Sequence, residues 1–346
     1  MARSRMHFFA VGALLLMLVP ALAACGTSSG PGTTTKTIKV GLVTDTGGLN
    51  DKGFNSLANQ GLQKAATELG IKADVTESHS SNDYVPNLTH YASTGYDLVI
   101  AVGFLMTGAV GQVSQTYPNV KFAIIDGLPT DASGNTVDRK NVEGLLFKEQ
   151  DAGALVGVLT GMLEKSGQTP LKSHVVGAVG GKKIPPVDHY IAGFQWGVAK
   201  EDSSAKVLVD YSDDFTDPTK CANKTDTQIG QKADVVFQVA GGCGLGVLTE
   251  GGKKGVYTIG VDTDQKAVDK SVIASAVKRV DVATYDAIKS VKDGTFQNGA
   301  VYFDLKNDGV GYVPGNLSVP ADVQTEINNV LSQIKSGAVT IPDTVK

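Results

Sequence analysis

The sequence lacks the features on which nucleic-acid-binding and zinc proteins depend. Its 31 Lys and Arg residues are outnumbered by 35 Asp and Glu residues, so the formal net charge is −4 and no basic excess favours nucleic acid. None of the five histidines belongs to an H-E-x-x-H pattern, and no set of ligands has the spacing of a zinc site. A repeat of solenoid period is also missing. We therefore expect no nucleic-acid partner, no metal and no cofactor.

Long hydrophobic runs are absent apart from one near the N-terminus. Arg3 and Arg5 precede the apolar run 8–19, and Leu22-Ala23-Ala24-Cys25 follows it. A positive region, a short apolar run and small residues before a cysteine are typical of a lipoprotein signal peptide. The alternative is a membrane anchor, but the run is shorter than the roughly 20 residues that span a bilayer. Residues 1–24 are thus predicted to be a cleaved signal peptide, with lipidation at Cys25.

The segment that follows the signal peptide is too polar and glycine-rich to form a core. Residues 25–37 are predicted to be a flexible, lipidated tether. G-T-S-S-G within it matches the G-x-S-x-G nucleophile pattern, but no strand precedes it and no helix follows, so we treat the match as chance. We expect the protein at the extracytoplasmic face of the cell membrane, as a lipid-anchored monomer, which also disfavours a transcription regulator.

Cysteine is scarce, with three residues in the chain. If Cys25 is lipidated, Cys221 and Cys243 form an even pair in an oxidising compartment, where a disulfide can form. The alternative is two buried free thiols.

Short apolar runs alternate with amphipathic stretches along the rest of the chain, which predicts an α/β fold. The apolar runs are nearly continuous, as in parallel strands covered on both faces. Strands are predicted at 38–44, 97–102, 122–125, 142–147, 174–179, 206–211, 234–239, 256–261, 275–280 and 300–305. Helices are predicted at 54–69, 107–117, 151–163, 190–200, 283–291 and 321–336.

The alternation of strands and helices forms two successive units along the chain and then changes. This change indicates that the chain crosses back to the first unit and then returns to the second. We predict two lobes, each a doubly wound and mainly parallel sheet, joined by a hinge with several crossovers. The lobes are assigned to 38–143 plus 273–297 and to 144–272 plus 298–346. In such sheets a ligand lies in the cleft beyond the carboxyl ends of the strands.

The turn after the first strand is rich in polar residues. Asp45 ends the strand, and Asn50, Asp51, Phe54 and Asn55 follow before or at the start of the next helix. The carboxylates can accept hydrogen bonds from a ligand. The ring of Phe54 is predicted to project into the cleft, with ordinary core packing as the alternative.

Two further first-lobe strands end in residues suited to a cleft. Gly103 follows the apolar run 99–102 and forms a second wall, and Asp126 follows Ile125 and precedes a glycine. The alternative for Asp126 is an N-cap of the next segment.

In the second lobe, candidate ligand-binding residues again follow strands. Phe215 lies in the turn after 206–211 and is predicted to oppose Phe54 across the cleft. Gly241 and Gly242 are predicted to bring backbone amides to a ligand, and Asp262 with Lys278 suits a pair of vicinal hydroxyls. The alternative for Lys278 is a surface salt bridge.

Patterns of nucleotide-binding and catalytic loops fail in detail. The glycine loops at 180–183 and 241–247 have neither the P-loop spacing nor that of the dinucleotide fingerprint. A hydrolase built on Asp45 or Asp126 is the remaining enzymatic interpretation, since binding folds also host catalysis. We expect a binding protein rather than an enzyme.

Several ordered motifs together resemble one known family. GLNDKGFN, IIDG, AGGCGLGV, GVDTDQ and SAVKRVD are similar to segments of the basic membrane protein family of ABC transporter substrate-binding lipoproteins, which includes the purine nucleoside receptor. The resemblance covers nearly the whole chain after the tether. It implies a type I periplasmic-binding-protein fold, nucleoside binding and delivery to the membrane subunits of an ABC permease.

The resemblance also implies roles for individual residues. Phe54 and Phe215 would stack on the base, and Asp126, with Asp45 and Asn55, would hydrogen-bond to the base or sugar. Asp262, Lys278 and the backbone at 241–242 would hold the ribose. The sequence departs from the family at Cys243, where Thr or a similar residue is expected.

Other ligands and roles stay open on the same fold. A receptor for a sugar or another small polar ligand would use the same lobes, as would a sensor that presents its ligand to a membrane kinase. Two candidate stacking rings favour a nucleoside, and the resemblance to the family of the purine nucleoside receptor implies a purine base. The single Trp196 lies in a helical pattern and indicates core packing rather than a platform for a sugar.

Overall fold

The computed structural model describes residues 37–346. The predicted signal peptide, the lipidation site Cys25 and the tether up to Lys36 lie outside the described residues. Within residues 37–346, no helix combines the length and apolar character needed to cross a bilayer.

The described chain is an α/β structure of two parallel sheets. Its strands, in chain order, are β1 (Lys39–Thr44), β2 (Lys72–Thr76), β3 (Leu98–Val102), β4 (Lys121–Ile125), β5 (Val142–Phe147), β6 (Val175–Gly180), β7 (Lys206–Tyr211), β8 (Val235–Val239), β9 (Tyr257–Asp262), β10 (Val272–Lys278), β11 (Gly299–Phe303) and β12 (Val310–Pro314). Its α-helices are α1 (Phe54–Leu69), α2 (Tyr84–Ser93), α3 (Thr107–Thr116), α4 (Glu149–Lys165), α5 (Pro185–Glu201), α6 (Pro218–Gly230), α7 (Leu245–Lys254), α8 (Val280–Asp293) and α9 (Ala321–Ser336).

The two sheets have the same arrangement of strands. The first has the order β11-β5-β4-β3-β1-β2 and the second the order β12-β10-β9-β8-β6-β7. All neighbours in the first sheet are parallel, and in the second only β12 runs antiparallel to its neighbour. This confirms the predicted class of two doubly wound, mainly parallel lobes. Because the orders correspond, each strand end in one lobe has a counterpart in the other.

Strand pairing differs from the predicted lobe boundaries at each crossover. The sequence assigned 144–272 to the second lobe and 273–297 to the first, yet the whole of β5 belongs to the first sheet and the whole of β10 to the second. The last boundary also differs, because β11 pairs with β5 in the first sheet, whereas the prediction placed 298–346 in the second lobe. Each crossover follows a complete strand, because a strand forms all its hydrogen bonds within one sheet before the chain crosses. An apolar run in the sequence does not reveal which sheet the strand joins.

Close helix packing in the second lobe depends on glycines. A Cβ at Gly153 would lie 2.2 Å from the carbonyl oxygen of Tyr190, and one at Gly193 would lie 2.0 Å from that of Gln150. Helices α4 and α5 therefore touch backbone to backbone, with the first turns of α4 against the middle of α5.

A disulfide joins Cys221 of α6 to Cys243, with their Cα atoms 5.6 Å apart and both residues buried. The backbone N–H of Cys243 also donates to the carbonyl of Phe215 at 3.0 Å. The hydrogen bond holds the turn after β8 against the turn after β7, and the disulfide holds it against α6, so the wall carrying Phe215 is fixed to the glycine turn beside it.

Two fully buried carboxyl groups meet at the edge of the second sheet opposite the cleft. Oε2 of Glu164 accepts from Thr169 Oγ1 and His174 N–H, and Oδ2 of Asp234 accepts from Leu171 N–H. Oε1 of Glu164 and Oδ1 of Asp234 have no other donor among the described residues. Burial and the neighbouring Asp234 raise the pKa of Glu164 to about 9. Glu164 therefore keeps its proton at neutral pH and can donate it in a hydrogen bond to Asp234, which holds the loop before β6.

Glu164→Gln is expected to flatten the dependence of stability on pH. The pKa of Glu164 is raised in the folded state, so its contribution is complete below the pKa of an unfolded glutamate and is lost as pH rises toward about 9. The amide keeps a donor toward Asp234 at every pH. Urea unfolding between about pH 5 and about pH 9 measures the free energy of unfolding, and the wild type should lose more of it with pH than the variant. Glu250→Gln, in a surface pair with Lys253 and Lys254, is the control and should follow the wild type. Equal slopes for all three proteins would show that Glu164 does not hold the proton.

Candidate ligand-binding site between the lobes

A cavity lies between the lobes at the carboxyl ends of their strands. About 600 Å³ of space within it is free of protein atoms, part of it open to solvent. First-lobe residues that line it are Asp45, Gly47, Asp51, Phe54, Asn55, Gly103, Phe104, Leu105 and Asp126. Second-lobe residues are Ile184, Pro186, Val187, Tyr190, Phe215, Val239, Ala240, Gly241, Val261, Asp262 and Lys278.

Two aspartates occupy corresponding strand ends and share an unusual backbone conformation. Asp126 follows β4 with φ of 68°, and Asp262 ends β9 with φ of 64°. Both lie in the left-handed region, which costs energy for a residue other than glycine and is concentrated at functional sites. The conformation ends each strand abruptly and leaves a carboxyl group in the cavity wall.

Two aromatic rings face the cavity from opposite lobes, and each lies against glycine. A Cβ at Gly103 would lie 3.5 Å from Phe54 Cε1, and a Cβ at Gly181 would lie 2.2 Å from Phe215 Cε1. Both rings are half-buried and packed on the core rather than enclosed in it. Pure core packing, the alternative for Phe54, therefore does not describe it.

Asp45 and Asn55 form a hydrogen-bonded pair in the first-lobe wall. Oδ1 of Asp45 accepts from Asn55 Nδ2 at 2.8 Å and from Gly47 N–H at 2.9 Å. Oδ1 of Asn55 is buried and accepts from no donor among the described residues. Burial raises the pKa of Asp45 to about 6. The pair thus presents acceptor oxygens that are available to a ligand.

Asp51 has a structural role in addition to its place in the cavity wall. Its two carboxylate oxygens accept from the backbone N–H groups of Gly53, Asn55 and Ser56, at 3.0, 2.6 and 3.1 Å. These are donors at the start of α1 that have no partner within the helix. Asp51 therefore caps α1 and fixes the position of Phe54 at its first turn.

Lys278 is buried in the wall and joins the two lobes. Its Nζ lies 2.6 and 2.7 Å from the two carboxylate oxygens of Asp126 and 2.9 Å from Oε1 of Glu149. The rings of Phe54 and Phe147 lie 5.0 and 4.7 Å from the same atom, within cation–π distance. The side chain is only 2% exposed, so the surface salt bridge considered from the sequence is wrong.

Burial raises the pKa of two acids near Lys278. The pKa of Asp126 rises to about 6 and that of Asp262 to about 7, although the charge of Lys278 opposes the rise. Asp262 also accepts from the hydroxyl of Tyr190 at 3.4 Å. These carboxyl groups therefore titrate near neutral pH.

The lobes also touch directly at the mouth of the cavity. Gln265, buried behind β9, donates from Nε2 to the carbonyl oxygen of Lys52 at 3.2 Å. Its Oε1 accepts from Gln238 Nε2 and from Val261 N–H within the second lobe. Lys52 lies in the left-handed region with φ of 53°, in the turn that carries Asp51. One hydrogen bond therefore connects the first-lobe turn to the second lobe.

The structure brings together all but two of the sequence-predicted ligand-binding residues. Asn50 is exposed and Gly242 is buried beneath the surface, and neither lines the cavity. Gly242 instead lies against Asp51 and the carbonyl of Phe215. Trp196 packs on the core and is not among the lining residues.

The sequence did not reveal the apolar part of the wall. Tyr190, Ile184, Pro186 and Val187 come from the start of α5 rather than from a strand end. The one feature of the sequence that indicated the start of α5 was its pair of prolines, since proline favours the first helical turn. In residues 37–346, no group of His, Cys, Asp and Glu side chains is placed to hold a metal ion.

Comparison with known proteins gives one consistent result. The family model described as ABC transporter substrate-binding protein, PnrA-like, matches residues 38–345. An uncharacterized lipoprotein of Pyrococcus horikoshii is 35% identical over 90% of this chain and 77% of its own length. A Lactococcus lactis protein named ABC transporter nucleoside-binding protein BmpA is 28% identical over 96% of this chain and 98% of its own. The crystal structure of an ABC transporter solute-binding protein from Aeropyrum pernix has a TM-score of 0.80 at 27% identity, covering 89% of this chain and 94% of the other.

Asp51→Ala is expected to lower the free energy of unfolding by about 1–2 kcal/mol, because the start of α1 loses its cap. Chemical denaturation with circular dichroism measures the change. Asp322→Ala is the control: Asp322 is exposed in the first turn of α9 and makes no capping hydrogen bond, so its loss should have little effect. Equal effects of the two substitutions would contradict a capping role for Asp51.

Gln265→Glu is expected to shift the lobes toward a more open arrangement. The variant keeps Oε1 for Gln238 and Val261 but replaces the donor to Lys52 with a second acceptor. Distances between spin labels on the two lobes, measured by pulsed electron paramagnetic resonance, should lengthen or broaden. Gln63→Glu on the exposed face of α1 should leave them unchanged. If both variants give the wild-type distances, this hydrogen bond does not control closure.

Proposed function

The chain belongs to the family of PnrA-like ABC transporter substrate-binding proteins, and from this premise we propose that its interlobe cavity binds a nucleoside, with a purine base as the first candidate. The observation that carries the proposal is the pair of rings, Phe54 and Phe215, which face one cavity from opposite lobes with acids around them. A flat base between two rings gains stacking energy of roughly 1–3 kcal/mol per contact.

Polar groups at the two sides of the cavity support a ligand with a donor-rich base and a sugar. Asp45 and Asn55 supply acceptor oxygens, including the unpartnered buried Oδ1 of Asn55. Asp262 and Lys278 supply an acceptor and a donor for vicinal hydroxyls. The name of the L. lactis relative, nucleoside-binding protein, supports the same ligand class.

Closure of the lobes on the ligand is the proposed mechanism. Contacts from both lobes favour the closed arrangement, because a ligand shifts an equilibrium only by its differential affinity for the two states. The closed form would then deliver the nucleoside to the permease subunits. We further propose a monomer anchored through a lipid on Cys25 at the extracytoplasmic face, in line with the relatives named lipoproteins.

Phe54→Ala and Asp262→Ala are each expected to weaken nucleoside binding about tenfold, which is about 1.4 kcal/mol. The first removes one stacking surface and the second one acceptor for the sugar hydroxyls. A thermal-shift screen of purine and pyrimidine nucleosides, free bases and sugars selects the ligand, and calorimetry gives Kd.

Tyr302→Ala is the matched control for the aromatic substitution. Tyr302 is 56% exposed on β11 and lies outside the cavity, so its removal should leave Kd unchanged. Stabilisation by sugars but by no nucleoside would assign the cavity to the alternative ligand class. Release of free base during incubation would indicate a hydrolase instead of a receptor.

A further inference from the structure

Behind Lys278 lies a carboxylate that does not line the cavity. Glu149, the first residue of α4, is 2% exposed and receives a hydrogen bond from Lys278 Nζ at 2.9 Å through Oε1. Its other oxygen, Oε2, lies 3.0 Å from Nδ1 of His189 on α5. His189 is 28% exposed, so the series from His189 through Glu149 to Lys278 connects solvent with the cavity wall. Nothing in the sequence motifs pointed to these two residues.

The packing of α4 on α5 makes this contact possible. The glycines that let the two helices touch backbone to backbone, Gly153 and Gly193, lie four residues after Glu149 and His189 respectively. Residues four apart lie on the same face of a helix. The close contact of the glycines therefore aligns the side chains one turn earlier, with Glu149 and His189 facing each other.

The hydrogen bonds of the Lys278 ammonium group determine how many of its donors remain available to a ligand. An ammonium group has three donors, and Asp126 and Glu149 each accept one. Two carboxylates on one lysine leave an excess negative charge. Burial favours the neutral form of Glu149, but the charge of Lys278 and the hydrogen bond with His189 bring its pKa below the usual value. Asp126, in contrast, has a raised pKa of about 6.

We propose that Glu149, held in place by His189, is a second counter-ion of Lys278, which fixes the ammonium group between Glu149 and Asp126 and leaves its third donor for the ligand. Glu149 and His189 are then positioning residues: they act on the ligand through Lys278 and touch no part of it. The part of this inference that concerns the ligand rests on the proposed function, whereas the role of Glu149 as counter-ion does not.

Several other charged groups face this cluster and contribute to its titration. Asp262 at the end of β9 faces Lys278, and Tyr190 on α5 faces Asp126, Glu149 and Asp262. Asp343, near the C-terminus, faces His189. These groups stay in place when Glu149 or His189 is replaced, so a difference between variants reports the replaced group.

Carbon-13 NMR of labelled aspartate carboxyl groups tests the role of Glu149 as counter-ion without any ligand. The Asp126 signal is identified by its loss in Asp126→Asn. In Glu149→Gln the pKa of Asp126 should fall, because a neighbouring negative charge disappears and Lys278 pairs with Asp126 alone. In His189→Gln it should rise, because Glu149 then competes more strongly for Lys278 and a neighbouring positive charge is lost. Opposite shifts are the specific expectation, since simple damage to packing would not change sign between the two variants.

Calorimetry with the nucleoside selected by the screen tests the consequence for binding. Glu149→Gln should weaken binding about tenfold near neutral pH, because the ammonium group of Lys278 loses one of its two anionic partners and is no longer held with its third donor available to the ligand. Glu326→Gln removes a carboxylate that pairs with Lys200 away from the cavity, and should change neither the pKa of Asp126 nor Kd.

The outcomes separate this inference from the proposed function. If the wild type binds no nucleoside, the proposed function fails while the NMR shifts still decide whether Glu149 is a counter-ion. If it binds and Glu149→Gln binds equally well with an unchanged pKa of Asp126, the inference is overturned. If Glu149→Gln does not fold, His189→Gln carries the test, and a pKa of Asp126 that falls or stays constant in that variant overturns the inference.

Discussion

The need to balance the positive charge of one buried ammonium group, that of Lys278, constrains the whole site. Lys278 lies at the end of β10 with almost no exposure, where an unpaired charge would cost several kcal/mol. Its anionic partners are Asp126 after β4 in the first lobe and Glu149 at the start of α4, and the rings of Phe54 and Phe147 lie within cation–π distance. For these groups to meet, the strand ends of the two lobes must converge, and α4 must approach β10 closely. The arrangement of the lobes that brings these groups together therefore also determines how the charge of Lys278 is balanced.

The cleft is built from two copies of one arrangement that carry different side chains. The equal strand orders place Asp126 opposite Asp262, and the short turn after β3 opposite the glycine turn after β8. At the next position the symmetry is broken, because β5 ends in Phe147 whereas β10 ends in Lys278. The ring of Phe147 then packs against the ammonium of Lys278 at 4.7 Å. A symmetric scaffold thereby gives an asymmetric cavity, because one of two corresponding strand ends carries a ring and the other an ammonium group.

The sequence predicted the elements whose pattern is strong and missed those whose position depends on partners. The bounds of α1 and α9 agree with prediction, because their apolar residues recur at helical spacing. Strands β2 and β12 were not predicted, since they are only partly buried and carry no continuous apolar run. The aspartates and phenylalanines of the cavity were predicted because strand ends converge in any doubly wound sheet. Glu149 and His189 were not, because an acid in the first turn of a helix is explained by the helix dipole alone, and only the packing of α4 on α5 shows its second role.

The raised pKa values in the cavity are a consequence of burial and bear on the ligand proposed above. Burial between the lobes removes water from Asp45, Asp126 and Asp262 and raises their pKa values to about 6, about 6 and about 7. A molecule that brings N–H and O–H donors to these oxygens replaces the lost water and stabilises the ionised form, whereas an anionic molecule adds repulsion to acids that already exceed the one lysine. The proposed neutral, donor-rich nucleoside is therefore the class of ligand that these acids favour.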